Sequence, residues 1–106
     1  MKIITYTSNS TALKNAINKK INDKELKTWE IVRNNKNEIL YSHIPEQWKE
    51  KAMLKPCVYD DRVEFVINWW NKKGEPDEET KGYILGRFVE ILMVHFKSQF
   101  IHLKII

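Results

Sequence analysis

The sequence predicts an α+β fold: a single two-layer domain in which a mostly antiparallel sheet of about five to six strands is packed by two helices, the C-terminal one long. Three observations carry this. Runs of alternating apolar and polar residues, rich in β-branched and aromatic side chains, recur along the chain. Two segments switch to helical periodicity. The two patterns follow one another as β-α-β-β-(short α)-β-β-α-β.

Residues 2–7 are a β-branched and aromatic run that turns polar at Ser8-Asn9-Ser10, which reads as a first strand. Ser8 or Ser10 can then cap a helix, its hydroxyl accepting one of the free backbone N–H groups of the first turn. Leu13, Ala16, Ile17 and Ile21 share one helical face and place that helix over residues 10–22. Lys20 and Lys24 would continue the face, and their charge ends the helix near Asp23.

Residues 28–33 and 38–44 are strand-like and are separated by Asn34-Asn35-Lys36-Asn37, a turn cluster because Asn tolerates left-handed backbone angles. The hairpin is clear and its register open, since different loop lengths put Trp29 and Ile31 opposite different partners. In Pro45-Glu46-Gln47-Trp48 the proline stands where a helix of one or two turns can begin, its missing N–H not being needed there. A second hairpin, residues 53–59 with 62–70 around Asp60-Asp61, sorts its side chains into two sets. Val58/Val63, Pro56/Phe65 and Leu54/Ile67, continued by Trp69, form the core set; Tyr59/Arg62, Cys57/Glu64 and Lys55/Val66 form the other. Pro56 cannot donate to a ladder, so its strand is expected at an edge or locally distorted.

Residues 71–77, with Gly74 and Pro76, are a loop, and the longest helix is expected from Asp77 to about Phe100. Asp77, Glu78 and Glu79 stand at its positive end. Ile84, Leu85, Phe88, Ile91, Leu92 and Phe96 make its buried stripe. Gly82, Gly86, Val89 and Met93 fall together on another side, which implies cover on two faces, by the sheet and by either the first helix or a second copy of the chain. Ile101, Leu103 and Ile105 alternate in a final strand.

Composition bounds the function. A chain of 106 residues with 42% apolar residues and four each of Trp, Tyr and Phe supports a core without a staple. The one cysteine, Cys57, excludes an internal disulfide or a thiolate-rich metal site within one chain, and fits a reducing, cytoplasmic setting. The N-terminus lacks the apolar core of a signal peptide, and no apolar run approaches the roughly 18 residues of a membrane span. The charge of +4 comes from fifteen Lys and only three Arg, beside thirteen Ile and nine Asn. These are residues of A/T-rich codons, so a bacterial or phage genome of that bias accounts for the charge without any anionic partner.

No phosphate-binding glycine loop, nucleophile elbow, paired-Cys motif or His-Glu-x-x-His is present. No cofactor or metal is implied, and no catalytic residue is assigned. His43, His95 and His102 lack any helical pairing; His95 lies within the apolar stripe and reads as a core histidine satisfied through Gln99 or a carbonyl. Arg87 and Glu90, three apart, read as a surface pair, and Cys57, facing Glu64, as an inert thiol. Lys14, Lys19, Lys20, Lys24 and Lys27 scatter around the first helix and read as a solvated face. In Trp69-Trp70-Asn71-Lys72-Lys73, alternation buries Trp69 and turns Trp70 outward beside cations, which suits a protein hot spot or base stacking with phosphate contact.

The leading expectation is therefore a small non-catalytic cytoplasmic binding protein of bacterial or phage type. It would meet a partner, a protein first, through Trp70, Lys72 and Lys73, and could form a homodimer through Gly82, Gly86, Val89 and Met93. The alternatives are a basic RNA-binding or RNA-cleaving, toxin-like protein using Trp70 and nearby lysines, and a small-molecule enzyme centred on His95 and Glu90.

Overall fold

Alternation and helical phase translate into six strands and two helices in the computed structural model of the chain, which describes residues 1–45, 47 and 49–106. The elements are β1 (Lys2–Tyr6), α1 (Ser10–Asn22), β2 (Trp29–Arg33), β3 (Ile39–His43), β4 (Met53–Val58), β5 (Arg62–Asn68), α2 (Glu78–His95) and β6 (His102–Ile105). The sheet order is β2-β3-β4-β5-β1-β6 and every pairing is antiparallel. Strands β2 to β5 form a meander, and the two terminal strands extend it on the β5 side. The short helix expected after Pro45 falls partly on Glu46 and Trp48, outside the described residues; beside them the Lys49 N–H donates to the Pro45 carbonyl at 3.0 Å.

Both helices lie on one face of the sheet. Leu13, Ile17 and Ile21 of α1 and Ile84, Leu85, Phe88, Ile91 and Leu92 of α2 join Ile3, Trp29, Tyr41, Leu54, Val63, Phe65 and Ile67 in one buried cluster. Phe88 is its hub, with ring centroids 5.2 Å from Trp29, 5.6 Å from Tyr41 and 4.9 Å from Phe65. The Tyr41 hydroxyl donates to Asn18 Oδ1 at 2.5 Å, tying β3 to α1, and burial raises the Tyr41 pKa well above the usual phenol range.

The β4–β5 register is the one the side chains specify, Leu54 opposite Ile67, Pro56 opposite Phe65 and Val58 opposite Val63. Yet β4 is an interior strand. Tyr59 N–H donates to Arg62 O across the turn, so the hydrogen-bonded pairs alternate from there and Pro56/Phe65 is a non-bonded pair. The Pro56 nitrogen therefore points toward β3, whose pairing with β4 stops at Tyr41/Leu54 and Ser42/Met53. Half of β4 is an edge, and the proline sits in that half.

In the first hairpin Asn37, at φ 62°, fixes the register that the side chains leave open. Asn37 N–H donates to Asn34 O at 2.9 Å, and Asn34 Oδ1 accepts from the backbone N–H of Lys36 and Glu38. A turn followed by a left-handed residue makes a three-residue loop, and it sets Trp29 opposite His43 and Ile31 opposite Tyr41.

Two helix-end expectations change. The cap of α1 is Asn9, whose Oδ1 accepts from Ala12 N–H at 3.0 Å; Ser10 is the first helical residue and its buried hydroxyl has no partner among the described residues. Helix α2 begins as expected, with Asp77 accepting from Thr80 N–H at 2.8 Å, but ends at His95, not near Phe100. Residues Lys97–Gln99 tighten into a 3-10 turn, held where Thr7 Oγ1 donates to Gln99 O and Ile101 N–H donates to Tyr6 O, each at 2.7 Å. Those bonds redirect the chain into β6.

At the end of α1, Lys24 adopts φ 62°, with Lys24 N–H bonded to Ile21 O and Glu25 N–H to Lys20 O, both at 3.0 Å. This is the left-handed helix stop that normally carries glycine. Lys24→Gly is expected to raise stability by about 0.5–1 kcal/mol, relief of strain outweighing the extra freedom of the unfolded chain; a urea midpoint that does not rise would contradict it.

Gly82 and Gly86 are exposed, with no heavy atom within 4 Å of the position a Cβ would take. The close backbone approach that two helical glycines suggest does not occur among the described residues, and α1 does not cover this strip. Val89 is half-buried against the core and Met93 is 45% exposed. β6 is the sheet's outer edge, and although Leu103 and Ile105 face the helix side, Ile101 and Ile105 remain 80% and 51% exposed because no helix reaches them. No helix among the described residues is long and apolar enough to cross a membrane.

Candidate functional site

The face opposite the helices is the open one, and alternation puts Leu40 of β3 and Met53 of β4 on it. Both are 1% exposed. Their cover comes from neighbouring chain rather than from a helix. After Asn68 the chain leaves β5, presents Trp70 in extended conformation, and folds into a 3-10 turn over Asn71–Lys73 that stops at Gly74, φ 79°. Lys73 Nζ lies 3.8 Å from Glu50 Oε2, linking this turn to the β3–β4 connection.

Between the turn and the Asn34–Asn37 loop lies a depression of about 760 Å³, within the size range of ligand pockets. Leu40, Trp69 and Trp70 supply its apolar wall, Asn34, Asn35, Asn68 and Asn71 its amides, and Lys36, Lys55, Lys72, Glu38 and Glu50 its charges. Several groups are already engaged. Lys55 Nζ binds Glu38 Oε2 at 2.7 Å, and Asn34 Nδ2 donates to Glu38 Oε1 at 2.9 Å. The Glu38 pKa is accordingly lowered, by Lys55 first and Asn34 second, and that of Lys55 raised by Glu38. Lys36 and Lys72 are exposed and have no carboxylate within ion-pair distance among the described residues.

Of the residues expected to meet a partner, Trp70 and Lys72 line this depression, while Lys73 turns to Glu50. Trp70 is half-buried and Trp69 packs against the core, with Lys81 Nζ 5.6 Å from the Trp69 ring centroid. Lys81 is held there by Glu75 at 2.6 Å and Glu78 at 3.2 Å. Sequence reading finds Trp70 and Lys72 but misses Lys36, Asn34 and Asn35, which the hairpin loop brings from a distant part of the chain. The cluster of Asn residues in a turn was the available signal. On α1, Lys19 pairs with Asp23 at 2.6 Å and Lys20 with Glu25 at 3.9 Å, so these lysines form a solvated face.

His95 is exposed, not in the core. It lies in helical phase with Phe88, but the last turn of α2 passes over a second depression instead of over filled sheet. Arg87 Nη1 donates to Glu90 Oε1 at 3.0 Å beside it, and His43, from β3, forms part of the same wall. Cys57 is a free, half-buried thiol opposite Glu64, whose carboxylate is occupied by Lys2 at 2.8 Å and Arg62 at 2.7 Å.

Burial first and the positive charge of Arg87 next lower the His43 pKa from its ordinary value of 6.5, against the opposing pull of the Thr28 carbonyl and Glu90. A histidine whose folded pKa is depressed binds its proton more readily in the unfolded chain. Its contribution to stability is full above 6.5 and is lost as pH falls from 6.5 toward the folded value. His43→Gln should flatten that part of a stability-against-pH curve; an unchanged slope would show that other groups set it.

No family model matches the chain, and no curated protein and no solved structure matches it either.

Proposed function

We propose that the chain is a cytoplasmic binding protein of bacterial or phage type that holds an acidic segment of a protein partner in the Trp70 depression. One observation carries the reading: a half-buried indole over the Leu40 floor is flanked by two exposed cations, Lys36 and Lys72, neither of which has a carboxylate within ion-pair distance among the described residues, Glu38 acting on Lys36 only from farther off. A large aromatic side chain that can be fully desolvated is what interface hot spots are made of. The flanking lysines steer and orient an anionic partner, and the unengaged amides of Asn35 and Asn71 can meet a peptide backbone. A protein is favoured over RNA because no arginine is among the described residues lining the depression, and the planar guanidinium is the side chain best suited to phosphate and base recognition. The exposed strip of Gly82, Gly86 and Met93 supports self-association as a separate contact, tested by sedimentation.

The test is selection from a displayed random-peptide library on immobilised protein, in parallel with titration of mixed-sequence single-stranded RNA. Acidic peptides carrying an apolar anchor should emerge and should lose binding to Trp70→Ala and to Lys36→Glu/Lys72→Glu. RNA binding sensitive to salt and to the same variants, with no peptide selected, would overturn the protein reading and favour the nucleic-acid one.

A further inference from the structure

His43 is 5% exposed and its ring centroid lies 4.5 Å from that of Trp29. Its Nδ1 is 3.0 Å from the Thr28 carbonyl oxygen, and a carbonyl can only accept, so the neutral ring carries its proton on Nδ1 and presents a lone pair at Nε2. Nε2 has no partner among the described residues and is not sealed; the ring forms part of the wall of an open depression of about 400 Å³. A hydrogen-bond acceptor on a nearly buried side chain thus opens on a space large enough for a small molecule. Helix α2 supplies the opposite wall. Arg87 and Glu90, paired at 3.0 Å with side chains 54% and 63% exposed, stand at its rim with His95.

We infer that this depression binds a small hydroxylated phosphate monoester of sugar-phosphate size, its phosphate held by Arg87 and His95 at the rim and a hydroxyl donating inward to His43 Nε2. The groups divide accordingly. Arg87 and His95 are donors suited to an oxyanion, whereas Nε2 and the Glu90 carboxylate are acceptors suited to hydroxyls. Phosphate is favoured over carboxylate because its three oxygens can meet a guanidinium fork and an imidazole together, whereas the fork alone occupies both oxygens of a carboxylate. The depressed pKa of His43 keeps Nε2 unprotonated near neutral pH, as this role requires. Glu90 leaves Arg87 half-neutralised, which makes the site selective for a ligand with hydroxyls as well as charge. This site uses none of the residues of the Trp70 depression and stands or falls separately.

The experiment is an NMR titration of the full chain with ribose 5-phosphate, following backbone amides and histidine side-chain nitrogens, with ribose, gluconate and inorganic phosphate as separate arms. Ribose 5-phosphate should shift His43 Nε2 together with the amides of Arg87 and His95. Arg87→Ala and His95→Ala, both surface changes, should each weaken binding by about tenfold or more, while Trp70→Ala leaves it unchanged. Thermal unfolding of each variant separates lost binding from lost fold. Equal shifts from inorganic phosphate with His43 unmoved would mean an adventitious ion only and overturn the proposal, as would tighter binding of gluconate, or no shift with ribose 5-phosphate in the millimolar range.

Discussion

Phe88→Ala is expected to destabilise the protein by about 3–5 kcal/mol, the range for buried aromatic truncations. The ring is fully buried and touches Trp29, Tyr41 and Phe65, which come from three different strands. A cavity opened there cannot close easily, because each neighbour is fixed by something other than Phe88. Trp29 packs against His43, Tyr41 is bonded to Asn18, and Phe65 is set by its pairing with Pro56 on one side and Ile3 on the other. A domain of this length has a total stability of roughly 5–15 kcal/mol, so the variant should keep its fold at room temperature only narrowly and unfold at a much lower urea concentration. Phe88→Leu, which retains most of the volume, should cost clearly less. A Phe88→Ala cost below about 1.5 kcal/mol would mean that α2 shifts to fill the space and is held less firmly than the aromatic contacts imply.

The parts of this fold that the sequence makes legible are those where one local rule has no competitor. In the β4–β5 hairpin, a two-residue Asp60-Asp61 turn and a clean alternation admit one register. In β2–β3 both faces carry apolar residues, Trp29 and Ile31 on one and Val32 and Leu40 on the other, so alternation cannot decide; the left-handed geometry of Asn37 does. Helical phase places Phe88 and Leu92 in the core correctly and misplaces His95, because phase says which way a side chain points and nothing about whether the opposing layer extends that far. The two ends of the β4 question illustrate the same limit. Pro56 does sit where its nitrogen faces no ladder partner, but that site is one half of an interior strand, which follows from the short overlap of β3 with β4 and not from the proline itself.

Legibility of the candidate site divides in the same way. Trp70 and Lys72 were visible because they are adjacent in sequence to a strand end. Lys36, Asn35 and Leu40 join them only because the first hairpin folds beside the β5 exit, and His43 meets His95 only because β3 passes under the last turn of α2. Convergence of residues distant along the chain is a property of topology, and spacing within the sequence carries no record of it.

Trp70→Ala should therefore separate binding from stability in a way its neighbour cannot. Trp69 packs on the core beneath Lys81 and gives only part of its surface to the depression's wall, so its truncation should lower stability by about 2–4 kcal/mol and weaken binding less than loss of Trp70 does. Trp70 is half-buried at the wall of an open depression, and its truncation should cost at most about 1.5 kcal/mol of stability, the value of a partly buried apolar surface. Against an acidic peptide ligand the same change should cost about 2–4 kcal/mol, roughly 30-fold or more in Kd, because a desolvated aromatic anchor near the centre of an interface carries a disproportionate share of the affinity. Lys72→Ala, at the rim, should slow association and reduce its salt dependence by a smaller factor. Paired urea-unfolding and fluorescence-titration measurements on the two tryptophan variants decide the matter. If Trp70→Ala binds as the parent does while Trp69→Ala merely unfolds earlier, the depression is not the contact surface, and the exposed strip on α2 becomes the surface to test next.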